Sequence, residues 1–502
     1  MVAQQTDSIR NRALKFDYGS TKEVFTAIYL QNPSMFAYNH FNNWSYIGAS
    51  LLNEEGDYRD TQKHNELKQW GITTESILNM DKSGWKLYGL FNYANGSADS
   101  VRYNLNFHLP QNGSPNYVFM QKAGEWNYQK YQLSTMAAKA FGNYSVGLRI
   151  NYLGDLAFRQ NDTRNNQTTL RINVGASAGY RFNNKHSIAL GGEYKRDKTE
   201  PQFSKKYQHP NQGASNRLYN IYINGGMGTY HKDDNIPRLT QSTRQGAVSV
   251  QWLFSSDRNH YSALLKLGTG NDFIKDKEIT ENQKENRLLS YDFDKIKANI
   301  FTINNKGKYT LQNNLTFEAI DGKGKSLNAN NQQYTANYET MMTTLHFAST
   351  AINNQSVLRK LGLLLHLDDQ KRIDRSYGFK MNYQNLKTGA VIGFAHHIQS
   401  SQVWLDLGFN YQKNMNYAFD EGGAMQNIYT EWIAKPAIAY LTADSYSVPV
   451  SLNLKIPLET VWLEFNFNAE YFKPIDIKSP NTAMFTKNDS FMQLKSLMRV
   501  YF

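Results

Sequence analysis

The hydrophobic and polar positions of this chain alternate with a period of two. In FMQLKSLMRVYF (491–502), Met492, Leu494, Ser496, Met498, Val500 and Phe502 fall on one face, and Gln493, Lys495, Leu497, Arg499 and Tyr501 on the other. Two is the period of a β-strand, whose successive side chains leave a pleated backbone on opposite sides. VWLEFNFNAEYF (461–472) separates Val461, Leu463, Phe465, Phe467, Ala469 and Tyr471 from Trp462, Glu464, Asn466, Asn468 and Glu470. In VPVSLNLKIPL (448–458), Val448, Val450, Leu452, Leu454, Ile456 and Leu458 alternate with Ser451, Asn453 and Lys455. Only Glu459 and Thr460 join these two runs, which predicts a tight hairpin. LRINVGASAGYRF (170–182) alternates too and is followed by the turn NNK and the run HSIALGGEY (186–194). YSVGLRINY (144–152), WKLYGLFNY (85–93), YGFKMNY (377–383) and VWLDLGFNY (403–411) obey the same rule.

Long polar stretches lie between the runs, among them 95–104, 195–216 and 270–287. Short turns alternating with long loops is the asymmetry of an outer-membrane barrel, with periplasmic turns and extracellular loops. A soluble sandwich also alternates, but its strands are usually about five or six residues long. Several runs here reach 9 to 13 residues, near the roughly 9–11 that cross a bilayer at a tilt. Sheet backbone in lipid is satisfied only by closure. The expected fold is therefore all-β, a transmembrane antiparallel barrel of about 14 to 18 strands with short periplasmic turns and long extracellular loops.

Candidate strands begin near 44, 67, 84, 128, 144, 168, 186, 244, 260, 309, 334, 356, 375, 388, 403, 428, 447, 460 and 491. A barrel of about 22 strands with a separate plug is too large for this length. Residues 1–43 precede the first convincing strand and read as a periplasmic lead-in or a small plug, and 44–502 as the barrel. The faces opposite the apolar ones carry Arg149, Arg171, Asp406, Lys455, Glu464, Glu470, Lys495 and Arg499, which suits a wet lumen where inward charges set selectivity.

Composition narrows the picture further. Among 502 residues there is no cysteine, which removes disulfides, thiolate metal sites and cysteine nucleophiles. Mean hydropathy is −0.63. The longest apolar runs, LGLLLHL (361–367) and GAVIGFA (389–395), fall far short of the roughly 18 residues of a spanning helix. Tyrosine (33) and phenylalanine (27) outnumber proline (11), favouring strands and membrane interfaces. The net charge of +12 comes without a long basic run, so it reads as a solvated surface or lumen rather than a nucleic-acid footprint. MVAQQTDS lacks the basic and apolar regions of a signal peptide, yet Val-Ala-Gln-Gln looks like the tail of one. The expectation is that most of a leader is missing.

Three resemblances add to this reading. The alternating C-terminal stretch ending in Met498, Val500 and Phe502 resembles the signal of bacterial outer-membrane proteins that the barrel-assembly machinery reads. Asn32-Pro33-Ser34 resembles a triplet near the N-terminus of long-chain fatty-acid transporter barrels. The composition, the Gln-Gln start and WKLYGLFNYANG (85–96) resemble barrels of the Bacteroidota, Gram-negative bacteria, in a family of uncharacterised function. Such genes often lie beside TonB-dependent uptake systems, which implies nutrient acquisition. The resemblance brings over no catalytic or binding residue.

Catalytic and metal motifs are mostly missing. His396 and His397 are adjacent, so a regular strand points them to opposite sides. His64, His186, His231 and His366 show no ligand spacing, and neither HExxH nor GxSxG occurs. DGKGKS (321–326) has Ala319 where a phosphate loop needs glycine, and reads as a flexible loop tip, as does NGGMG (224–228). Asp233-Asp234 and Asp368-Asp369 lack the register of a calcium loop. No enzyme activity, cofactor or metal is expected. The expected function is porin-like or partner-assisted transport of small solutes across the bacterial outer membrane. An accessory barrel binding a TonB-dependent transporter or surface lipoprotein ranks close behind, and a fatty-acid-transporter-like barrel for hydrophobic substrates is a further alternative.

Overall fold

Strand pairing runs once around the molecule and returns to its start. The structure, a computed structural model, describes residues 22–39, 41–80, 82–161, 163–204, 220–227, 230–233, 239–256, 258–276, 287–327, 334–353, 357–424, 428–458, 460–478 and 485–502. Its strands are β1 (Trp44–Gly56), β2 (Glu66–Met80), β3 (Trp85–Val101), β4 (Tyr117–Phe119), β5 (Gly124–Phe141), β6 (Tyr144–Arg159), β7 (Arg164–Arg181) and β8 (His186–Ser204). They continue as β9 (Ile221–Asn224), β10 (Tyr230–Asp233), β11 (Leu239–Ser255), β12 (Asn259–Asp276), β13 (Arg287–Lys306), β14 (Tyr309–Leu327) and β15 (Tyr334–Asn353). The last are β16 (Leu358–Asp374), β17 (Phe379–Ile398), β18 (Ser401–Asp420), β19 (Asp444–Pro457), β20 (Trp462–Asp476) and β21 (Phe491–Tyr501). Eighteen of them form one antiparallel sheet in chain order, and β1 pairs with β21 from Tyr46↔Tyr501 to Gly56↔Phe491. Closure leaves no sheet edge, which is what backbone in hydrocarbon requires. The small strands β4, β9 and β10 make a separate sheet inside the long-loop end.

The two ends of the barrel differ. At one, Gly142-Asn143 joins β5 to β6 and Gly307-Lys308 joins β13 to β14. Gly142 (φ +59) and Gly307 (φ +64) adopt the left-handed backbone that two-residue hairpins demand. At the other end, β3 and β5 are joined through 102–123 and β18 and β19 through 421–443. No helix is long and apolar enough to cross a membrane among the described residues. The outer face carries an apolar band, including Leu148, Ile150, Leu170, Ile172, Leu190 and Leu363. Trp85, Phe141, Tyr144, Phe182, Tyr309 and Phe502 are exposed at its short-turn margin. At the opposite margin Trp70, Tyr93 and Tyr131 touch in succession, with ring centroids 5.4 and 5.1 Å apart. From Trp70 to Met80 a strand rising roughly 3.3 Å per residue and tilted by about 40° covers about 25 Å, the height of the apolar band in membrane barrels.

The alternation was read with the right faces in most strands and mis-segmented in three places. Strand β13, across Arg287–Lys306, has no counterpart among the expected starts. The expected starts at 375 and 388 belong to one strand, β17. The start expected near 428 is instead a π-helical turn (Thr430–Ala434) leading into a helix (Lys435–Leu441). The polar stretches 95–104, 195–216 and 270–287, expected as loops, begin inside β3, β8 and β12, and DGKGKS belongs to β14 rather than a loop tip. Above the membrane both faces of a strand meet water or protein, so pairing continues where the hydrophobic pattern stops.

Candidate functional site

The interior of the barrel holds the chain's own polypeptide at both ends and charged side chains between. At the short-turn end the segment from Lys22 to Asn39 packs against the inner wall. Its sequence FTAIY forms a π-helical turn (Phe25–Tyr29), and PSMFAY a 3-10 turn (Pro33–Tyr38). Asn32 is extended and Pro33, with φ already fixed, starts the second turn. Phe25, Ile28, Met35 and Phe36 are buried, and Phe25 meets Phe36 edge-on at 5.5 Å and Tyr88 at 4.5 Å.

The wall beneath it is built from small residues. A Cβ on Gly147 would lie 2.3 Å from the carbonyl carbon of Pro33, and one on Gly191 2.1 Å from Oδ1 of Asn32. Hydrogen bonds fix the register of this seat. The Ser34 amide donates to Ser177 Oγ at 2.7 Å, and the two hydroxyls are 2.9 Å apart. Asn32 Nδ2 donates to Gln251 Oε1 at 3.1 Å, and Ser249 Oγ donates to Asn32 Oδ1 at 2.8 Å. Gln251 also donates to the Ile28 carbonyl at 2.8 Å, Tyr38 donates to the Asn143 carbonyl at 3.1 Å, and the Arg181 guanidinium lies 3.8 Å above the Tyr38 ring. Lys22 pairs with Glu75, a buried carboxylate that also accepts from Tyr46 (3.0 Å) and Tyr88 (2.8 Å).

Above the seat run the charges. Arg149 on β6 is buried and pairs with Glu193, which also accepts from Lys266 at 2.8 Å. Arg171 on β7 pairs with Asp197 at 2.9 Å, and Lys195 approaches the same carboxylate at 3.4 Å. Lys295 pairs with Glu318 at 2.7 Å. Asp406 on β18 holds Lys360 at 2.9 Å. Glu464 on β20 accepts from Arg499 (3.2 Å) and Tyr501 (2.8 Å) on β21. Lys455 is buried with its ammonium 5.3 Å from the Trp404 ring. Glu470 accepts from Ser447 at 2.8 Å, and Lys495 lies exposed opposite Asn468 and Leu52. Met498 and Phe502 are exposed on the outer face, with Val500 between them half-buried.

Between the N-terminal segment and the arc β13–β21 lies a cavity of 670 Å³, lined by Lys297, Gln312, Asn314, Arg359, Lys360, Trp404, Asp406, Glu464, Asn466 and Arg499 among others. It brings together Asp406, Glu464 and Arg499 of the inward charges read from the sequence, and leaves Arg149, Arg171, Lys455, Glu470 and Lys495 outside its lining. Lys297 belongs to β13, the strand without an expected start. Arg359 sits at a β-bulge, where the register with β17 passes from Leu358↔Phe394 to Lys360↔Gly393. A bulge leaves no mark on alternation other than one misplaced residue; the adjacent basic pair Arg359-Lys360 was the available signal.

The long-loop end holds a second body. β4 pairs with β9 and β9 with β10 inside the barrel mouth, and the helix Lys435–Leu441 lies beside them. Phe119, Tyr222, Tyr291, Tyr338, Phe379, Met381, Tyr383, Tyr429, Ile433 and Ile438 form one buried cluster. Tyr291 donates to the Asn112 carbonyl at 2.7 Å, Asn224 to the Pro115 carbonyl at 2.7 Å, and the Met227 amide to Asp374 at 2.8 Å. Burial holds the Tyr117 hydroxyl well above the ordinary tyrosine range and pushes Tyr429 up to about 12, so both remain protonated donors at any physiological pH.

Among the described residues no three histidine or acidic side chains gather as metal ligands. His396 and His397 lie on β17, Asp368 and Asp369 on β16, and His64 binds Glu54 at 2.7 Å. The side chains of His231, Asp233 and Asp234 lie outside the described residues. Strand pairing does bring His346 opposite His366, with ring centroids 5.7 Å apart, a contact that spacing along one strand cannot reveal.

The model of a family of unknown function, DUF6850, matches residues 33–496. No curated protein sequence matches the chain. Among solved structures, the ferric preacinetobactin receptor BauA of Acinetobacter baumannii is similar with a TM-score of 0.42 and 6% identity, over 91% of this chain and 80% of the receptor. The ferric yersiniabactin uptake receptor FyuA of Yersinia pestis gives 0.39 and 8%, over 92% and 80%. A Pseudomonas aeruginosa FadL homologue gives 0.36 and 9%, over 94% and 92%.

Proposed function

We propose that this chain, which belongs to the DUF6850 family of unknown function, is a gated transport barrel of the bacterial outer membrane. The short-turn end faces the periplasm and the long loops face the exterior, as in other single-chain barrels. A small polar solute passes through the lumen when the N-terminal segment leaves its seat. The observation that carries this reading is the polar cavity of 670 Å³ beside that segment. Charged side chains lining a water-filled chamber stay hydrated and offer a polar solute groups to bind on its way through.

Passage is gated rather than porin-like, since protein occupies the lumen at both ends. Residues 22–39 pair with no strand of the sheet, so their withdrawal breaks no strand pairing. A periplasmic partner that holds or pulls this segment supplies the gating force, a TonB-dependent transporter or a lipoprotein being the class of partner. The outward-facing Met498, Val500 and Phe502 serve as the assembly signal of the last strand. The apolar cap favours one second reading, an accessory barrel whose loops hold a surface partner and which conducts nothing.

Planar-bilayer recording separates the two. We expect the full chain to be silent and a variant lacking residues 22–39 to show channel events. If that variant is folded yet silent, and stays silent after the helix Lys435–Leu441 is also excised, transport is refuted and the accessory reading takes its place.

A further inference from the structure

We infer that the cavity binds a small oxyanion, a solute bearing a carboxylate or phosphate group, with Lys297 and Arg359 as its charged contacts. The inference names the substrate class of the transport reading and rests on it for the route, though not for the site.

Charge comes first. The cavity is lined by five cationic side chains, Lys22, Lys297, Arg359, Lys360 and Arg499, and by three carboxylates, Glu23, Asp406 and Glu464. Asp406 is held by Lys360 at 2.9 Å and Glu464 by Arg499 and Tyr501, while Lys22 pairs with Glu75 of the wall. Those pairings engage Lys22, Lys360 and Arg499, and Arg359 and Glu23 have interactions of their own. Lys297 makes no hydrogen bond or ion pair among the described residues. Its cross-strand carboxylate, Glu318, bonds Lys295 at 2.7 Å instead. Glu318 and Glu193 lie near this ammonium without bonding it, and a half-withdrawn ammonium with no bonded partner gains from an incoming anion.

The β-bulge adds a second, independent indication. Strict alternation would aim Arg359 at lipid with Leu361 and Leu363, where a charge is expensive. The bulge turns it inward instead, and its guanidinium lies 4.6 Å above the ring of Trp404. Bulges re-aim side chains next to functional sites, and a guanidinium offers carboxylate and phosphate the planar fork that an ammonium lacks. Asn314, Thr316 and Asn466 complete the lining with groups that can hydrogen-bond hydroxyls of the solute. The volume of 670 Å³ suits a ligand of metabolite size.

The test is calorimetric titration of the full chain in detergent with citrate, with inorganic phosphate and with sucrose as neutral control. We expect citrate or phosphate, or both, to bind, with affinity falling as salt rises. Lys297→Gln and Arg359→Gln should each weaken binding at least about tenfold, while Lys185→Gln, which removes the same charge in the β7–β8 turn, leaves it unchanged. Citrate alone would assign a carboxylate solute, and phosphate alone a phosphorylated one. The inference is overturned if neither anion binds, if both variants bind as the parent does, or if sucrose binds equally well. Folding of each variant is checked by strand circular dichroism, and because two separate sites are probed, one failed variant leaves the other decisive. Binding in detergent does not depend on conduction, so anion binding by the full chain, with the folded variant lacking residues 22–39 and the helix Lys435–Leu441 still silent, would reject the transport reading and keep the site.

Discussion

The two bodies that fill this barrel are held in different ways. The cap at the long-loop end is tied to the wall at both ends of every segment it contains. Its strand β9 pairs with both β4 and β10, and its buried face is aromatic, with Phe119 and Tyr222 stacked at 5.0 Å. Residues 22–39 of the N-terminal segment pair with no strand. Its apolar side chains are buried as fully as those of the cap, but its position is set by side-chain hydrogen bonds and by two glycines that let it approach the wall. Depth of burial therefore does not distinguish a fixed closure from a movable one. Backbone pairing does, because a segment that pairs with no strand can leave the lumen without opening a β-ladder.

The largest effect should follow removal of the movable body. With Asn466→Cys as reporter, in a chain that has no native cysteine, a charged thiol reagent added from the short-turn side should react slowly. Deleting residues 22–39 should raise the rate by at least about a hundredfold, as expected when a closed state populated to about 99% is abolished. An unchanged rate would mean that the segment does not close the chamber.

Next in size is the cap. Phe119 is fully buried at its centre, and Phe119→Ala should cost about 3–5 kcal/mol locally. Amide exchange in β4 and β9 should then accelerate by about a hundred- to a thousandfold or more, while the Asn466→Cys reporter stays slow. If the reporter accelerates as well, the two closures behave as one body and the comparison fails.

This division also explains what was legible in the sequence. The barrel could be read because lipid imposes one rule on the outer face, and Leu170, Ile172, Val174 and Leu190 obey it. The inner face obeys two rules at different heights. In β17, Phe379, Met381 and Tyr383 point inward to the cap, whereas lower down Ile392 and Phe394 point outward to lipid. The apolar residues change face while the strand runs on, so one strand looked like two. Strand β13 repeats the pattern, with Tyr291 and Phe293 inward and Ile296 and Ile300 outward, and Lys297 was overlooked with it. Arg149, Asp406 and Glu464 could be picked out along their own strands, but their partners come from other strands and could not. Nor could spacing say that Gly147 and Gly191 are seats for Pro33 and Asn32, since the contact joins segments far apart in the chain.

A smaller effect is expected where the wall grows into the seat. Gly147→Val would place its Cβ against the Pro33 carbonyl, and overpacking of this kind costs about 1–3 kcal/mol. The segment should loosen and the Asn466→Cys reporter should quicken by about tenfold or more. The melting temperature of the barrel should hold, because the ladder Gly147↔Ala138 and Gly147↔Ser177 is untouched.

The smallest effect should come from a single hydroxyl. Ser249→Ala removes the donor that reaches Asn32 Oδ1 at 2.8 Å, but leaves the Asn32 amide bonded to Gln251. The loss should be about 0.5–1.5 kcal/mol, and the reporter should quicken by about two- to tenfold. Comparing this with Gly147→Val sharpens the contrast between the two closures. A steric seat predicts that the added methyls outweigh the lost hydroxyl, since Gly147 gives Pro33 room that no rearrangement of its own backbone replaces. If Ser249→Ala matches Gly147→Val, the segment is held chiefly by its hydrogen bonds. Its release would then respond to whatever competes for Asn32 rather than to a pull on the segment.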